Sequence, residues 1–212
     1  MPLRRRALLG IPLWPALAGA QAPAPAPASA AAPAPELLDR VRSQGLRSAP
    51  VGRVTAWFPP DLQARAETLA RLVDDAAGFY QDQLAIEGQL HLAVLTREHW
   101  ATLVPWQPYG IPGVAGRPSV VFMPAGDDGL AAEDALALQP RVAPSTLQAL
   151  AAAGFGYEAA SRRYVDLVGL HELGHAYTRR YGIWANCRWL DELVATYFAY
   201  AYLRARRPAL AA

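Results

Sequence analysis

The stretch GLHELGHAYTRRYG, Gly169 to Gly182, decides how this chain is read. It carries two of the four histidines, His171 and His175, with Glu172 between them. The longer run SRRYVDLVGLHELGHAYTRRYG has helix signals at both ends. Ser161 is a candidate N-cap, Arg179 and Arg180 suit the last turn, and Gly182 suits the left-handed position just past it. On a helix, residues four apart lie about 40° round and about 6 Å along from one another. His171 and His175 therefore point the same way, and two imidazole nitrogens can reach one metal ion at about 2.0–2.1 Å. Glu172 lies about 100° further round. It flanks such an ion rather than binding it, in position to take a proton from an attacking water. Apolar Val168, Leu170, Leu173 and Ala176 surround the motif and predict burial. Buried ionisable groups need partners, and a metal would give each histidine one. The plainer alternative is a structural helix whose histidines make ordinary hydrogen bonds.

A three-ligand site needs one more donor, and the next segment offers two. In CRWLDELVATYFAY, Cys187 to Tyr200, the residues Trp189, Leu190, Leu193, Val194, Tyr197 and Phe198 recur at helical spacing and predict a core-facing stripe. Asp191 and Glu192 interrupt it. Either carboxylate could close the set and leave one position open for water, and Glu192 is the preferred ligand. The competing reading is a solvated acidic pair favoured by the helix dipole. Thr196, four residues beyond Glu192, could hydrogen-bond behind the site or simply pack. Cys187 reads as a small buried hydrophobe. His91, inside a predicted strand, and His99, after it, lack metal spacing and read as structural. No G-x-S-x-G occurs, and all 20 basic residues are arginine. The absence of lysine excludes Schiff-base chemistry and a P-loop lysine.

HELGH followed by WLDELVATYF resembles the gluzincin zinc metallopeptidases, the thermolysin and aminopeptidase-like group. Their second metal helix often reads W-L-x-E-G-x-A, matched here by Trp189, Leu190, Glu192 and Ala195, with Leu193 in place of the glycine. The likeness covers roughly residues 165–200. It implies a zincin-like fold in which His171, His175 and Glu192 bind one Zn2+ and Glu172 is the general base. It also implies that a strand such as SVVFMPA, residues 119–125, is a sheet edge to which a peptide substrate adds. Such enzymes place a tyrosine or histidine near the oxyanion, and Tyr181, Tyr197, Tyr200 and Tyr202 are the tyrosines at hand.

Upstream, the chain changes character three times. Residues 1–20 read as an export signal of the general secretory or twin-arginine type. Arg4, Arg5 and Arg6 precede an apolar run, and Ala18-Gly19-Ala20 is a cleavage site. Residues 21–35 alternate alanine and proline and predict an extended linker. Residues 36–212 form the expected domain, with 53% of the chain apolar to supply its core. The whole chain has 20 basic and 18 acidic residues. That balance gives no broad case for nucleic acid or an anionic membrane. With a single cysteine there is no intrachain disulfide.

Within the domain, a short helix ending near Gly45 is followed by a strand at 53–58, with Asp61 a candidate cap for a helix running to Leu84. Strands follow at 90–96 and 119–125, separated by a Gly-, Pro- and aromatic-rich loop. Trp100, Trp106, Tyr109 and Trp184 of this and a later segment either line a cleft or pack on the core. Residues 131–153 read as helical, broken near Pro140 and Pro144. The order predicts an α+β domain, a small mixed sheet with helices gathered on one side. The combined expectation is an exported zinc-dependent peptidase with a peptide or protein substrate and no stable membrane insertion once the leader is removed. The alternative is a catalytically inactive zincin-fold module that binds zinc and a peptide.

Overall fold

A computed structural model describes residues 36–85, 88–182 and 187–208. The expected leader and linker, and Trp184, lie outside the described residues. The sheet has five strands in the order β1-β2-β3-β5-β4. These are β1 (Arg47–Val51), β2 (Val54–Phe58), β3 (Leu90–Leu95), β4 (Gly113–Ala115) and β5 (Val120–Pro124). The three inner strands are parallel, and both edges run antiparallel to their neighbours. The domain is thus α+β with a small mixed sheet, as predicted.

The helices are not gathered on one side. Side chains alternate across each strand, and both faces are apolar. Val54, Ala56, Phe58, Leu90, Leu92, Val94, Val121 and Met123 face α2 (Gln63–Leu84), α6 (Tyr157–Arg180) and α7 (Arg188–Arg206). Ala93, Leu95, Val120 and Phe122 face α1 (Leu37–Ser43) and α3 (Arg97–Leu103). Trp100 on α3 is buried and donates its indole N–H to the Gln107 carbonyl, so it packs on the core instead of lining a cleft. Inner strands covered on both faces read as continuous apolar runs, which is why LHLAVL was visible.

Two strands were not anticipated. β1 contains Pro50, which an edge strand tolerates because it need not donate on its open side. β4 is three residues long and forms a hairpin with β5, pairing Val114 with Val121. Gly113 is required there, because a Cβ would sit 2.3 Å from the Phe122 ring. The hairpin makes β5 an interior strand, hydrogen-bonded to β3 on one side and β4 on the other. The expected edge at residues 119–125 is therefore corrected to β4.

The remaining helices are α4 (Leu130–Ala137) and α5 (Pro144–Ala152), with a 3-10 turn at Gln139–Arg141 between them. Pro144 sits in the first turn of α5, where its missing N–H costs nothing. Asp61 does not cap α2; it lies within a 3-10 turn, Pro60–Leu62, that leads into the helix. Ser161 is not a cap either. α6 starts at Tyr157, and the Ser161 hydroxyl bonds back to the Tyr157 carbonyl. Gly182 does adopt the left-handed conformation, φ +64°, just past the end of α6.

Candidate metal centre

α6 presents His171, Glu172 and His175, and α7 crosses it with Glu192. The crossing depends on two small residues. A Cβ on Gly174 would lie 2.8 Å from both Cα and the carbonyl oxygen of Ala195. Backbone cannot step aside as a flexible side-chain end can, so Gly174 sets how closely α7 approaches. By contrast, a Cβ on Gly169 would meet the thioether of Met123, which can move.

At the crossing three donor atoms converge. Nε2 of His171 is 3.0 Å from Nε2 of His175 and 3.1 Å from Oε2 of Glu192, and the third side of the triangle is 3.5 Å. An ion held tetrahedrally at about 2.0–2.1 Å sets its donors about 3.3–3.4 Å apart. The spacing fits, and His171, His175 and Glu192 form a group that could hold a metal ion. Glu192 is the carboxylate of that group and Asp191 is not in it.

Asp191 takes a different place. Its Oδ2 lies 3.2 Å from Nδ1 of His175, though off the axis of a straight hydrogen bond. Its Oδ1 accepts from the buried Thr178 hydroxyl at 3.1 Å. An ionised carboxylate only accepts, so the contact favours the tautomer with the proton on Nδ1. In neutral His175, Nε2 is then a lone pair aimed at another acceptor, the Glu192 carboxylate. Two acceptors so placed need a cation or a proton between them, which is what a metal position offers. Behind His171, Nδ1 lies 3.1 Å from Oγ1 of Thr196. Thr196 therefore supports the site rather than merely packing.

Electrostatics follow burial and these contacts. Glu172 is half-buried, and burial pushes its carboxyl up to about 7, with Glu192 adding to the rise and the two histidines and Arg179 opposing it. Close contacts with His171 and His175 hold Glu192 well below the usual carboxylate range. Burial works against the charged form of His175, but contacts with Glu192, Glu172 and Asp191 outweigh it and raise its pKa.

Several candidates lie elsewhere. His91 is buried in β3 beside Trp57, and His99 contacts the Thr96 hydroxyl at 2.7 Å. Cys187 is half-buried at the N-terminal boundary of α7, less enclosed than expected. Tyr181 and Tyr202 give their hydroxyls to the Leu84 carbonyl and to Asp75. Tyr197 and Tyr200 are exposed. The predicted core stripe of α7 is corrected in part. Trp189, Leu193 and Tyr197 face outward, while Leu190, Val194 and Phe198 are half-buried, Phe198 packing against the core, and Ala195, Ala199, Tyr202 and Leu203 are buried. The small Ala195 lets α7 approach α6 at Gly174, and the Trp189, Leu193 and Tyr197 side of the stripe is turned away. Sequence reading missed Arg179, whose guanidinium donates to the Val114 carbonyl on edge strand β4 at 3.1 Å. Its place one turn after His175 was the available signal.

Compared with known proteins, the chain matches no family model, no curated protein and no solved structure.

Proposed function

We propose that this protein is an exported zinc-dependent peptidase of the gluzincin type, with one Zn2+ held by His171, His175 and Glu192. The observation that carries the reading is the convergence of three donor atoms at 3.0–3.5 Å beside a half-buried glutamate that is not one of them. Two imidazoles and a carboxylate are a donor set that zinc favours in catalytic sites. Zinc, when bound, supplies Lewis acidity that eases deprotonation of water and polarises a carbonyl.

The protein's own part is positioning and proton transfer. Glu172 takes the proton of the attacking water and returns it to the leaving amine, a task suited to a carboxyl whose pKa has been brought near neutral. Asp191 and Thr196 hold the two imidazoles in the tautomer and orientation that turn Nε2 inward. β4 is the sheet edge packed against α6, and an extended peptide could add to it there. Arg179, bound to Val114, ties that edge to the helix bearing Glu172. An inactive binding module would need the ligands but not Glu172.

The test is to purify the protein, measure its zinc, and assay a broad peptide library beside Glu172→Gln. Expected are about one zinc per chain in both, and hydrolysis lowered by about a hundredfold or more in the variant. Absence of zinc from both would remove the site. Zinc without hydrolysis would leave the binding module.

A further inference from the structure

The outward face of α7 is used neither by the core nor by the metal group. Trp189, Leu193, Tyr197 and Tyr200 are 68%, 55%, 66% and 51% exposed. Their spacing places them on one stripe. Exposed apolar residues gathered in this way mark an interaction surface. Arg188, its side chain 94% exposed, precedes the stripe with its Nε 4.0 Å from Oε1 of Glu192, and Arg204 continues the stripe one turn beyond Tyr200. No acidic residue lies on the stripe. Asp191 and Glu192 turn toward His175 and His171, and Arg206 and Arg207 turn back to Asp82 and Asp75 on α2. The near-even charge of the whole chain hides this local pattern.

The pattern selects among occupants. A second copy pairing through α7 in antiparallel fashion would set Arg204 of one copy beside Arg188 of the other. A parallel pairing would set each arginine against itself; Glu192 offsets the charge at the Arg188 end, and no stripe carboxylate offsets it at Arg204. Peptide and small-molecule sites are concave, whereas the stripe is the convex side of a helix. The clefts beside Leu147 and beside Arg65 lie elsewhere. A lipid surface fits the convex face. Trp and Tyr settle at headgroup level with the ring in the apolar layer and the polar edge in water. Flanking arginines reach anionic headgroups while their stems cover apolar surface.

We propose that α7 seats this domain peripherally on an anionic lipid surface through Trp189, Leu193, Tyr197, Tyr200 and Arg204. The attachment is interfacial; among the described residues no helix is long and apolar enough to cross a membrane. Because Glu192 adjoins Leu193, seating α7 also holds the metal group beside the lipid.

Co-sedimentation of the full chain with vesicles tests this, using phosphatidylcholine alone and with about one third phosphatidylglycerol. Binding is expected to the mixed vesicles, weaker to neutral ones and weakened by salt. Trp189→Ser with Tyr197→Ser should lower it by about tenfold or more, and Arg204→Gln by about fivefold. Trp106→Ser, an exposed tryptophan off the stripe, should leave it unchanged. Unaltered thermal unfolding of each variant shows that the fold is retained. Equal binding by the double variant would place attachment elsewhere on the chain and overturn the proposal, as would absence of binding. A wild-type oligomer that the double variant converts to monomer would identify a second copy as the occupant and also overturn it.

Discussion

Two helical pairs follow the sheet, and they treat apolar residues in opposite ways. α4 and α5 are mostly alanine and leucine, with Glu133 and Asp134 their charged residues, yet of the two only α4 contributes a buried residue, Ala132. α6 and α7 are far richer in charge, yet α6 buries ten residues, among them His175, Ser161 and Thr178. Apolar content therefore does not decide burial here. A helix is buried where its apolar side has a surface to meet and its polar groups have partners. α6 lies over β4 and β5 with Leu170 and Leu173 beneath it, and its histidines are answered from α7. α5 has neither.

The sharpest way to break this contrast is to remove a side chain from beneath α6. Leu170 is fully buried, so Leu170→Ala should cost about 2–5 kcal/mol of stability. Denaturant unfolding measures it. A loss under about 0.5 kcal/mol would mean that α6 is held no more firmly than α5. Next in size is Gly174→Ala. The added Cβ would meet Ala195 backbone at 2.8 Å, forcing α7 outward at a cost of about 1–3 kcal/mol. The same variant should lose metal affinity, because Glu192 rides on the displaced helix. Stability lost with metal binding intact would show that the crossing and the metal group are independent.

How much of this could be read from the sequence depends on the range of the geometry involved. His171 and His175 were legible because spacing by four is a local property of one helix. Glu192 was legible as an interruption of an apolar stripe, but its arrival at the histidines depends on the Gly174–Ala195 contact between two helices. The same contact explains the misreading of α7. Helical spacing shows that Trp189, Leu193 and Tyr197 share a face, not which way that face turns. Bulk suggested inward, but close packing on Gly174 required Ala195 there, and only Leu190, Val194 and Phe198 of the expected stripe are half-buried. β4 was illegible for another reason. Three residues beginning with a glycine carry no alternation, and the strand exists because β5 offers it a partner. Asp191 and Thr196 as supports of the imidazoles also needed the crossing in view.

Asp191→Asn probes a smaller effect at the same crossing. The amide is nearly isosteric but loses the charge that faces Nδ1 of His175. Metal affinity should fall by about 10–100-fold, with stability changing far less. Competition with a calibrated chelator reads this directly. An unchanged affinity would mean that Thr178 and helix packing orient His175 without help from the carboxylate.

The smallest effect belongs to the other pair. Leu138, just past α4, is 49% exposed, and Leu138→Ala should shift stability by no more than about 0.5 kcal/mol. Set beside Leu170→Ala, this leucine measures the contrast itself, since residue type is held constant and only the surroundings differ. A cost above about 2 kcal/mol at Leu138 would mean that α4 and α5 bury apolar surface in solution. In that case the difference between the two helical pairs would lie in what covers them, not in how each packs on the sheet.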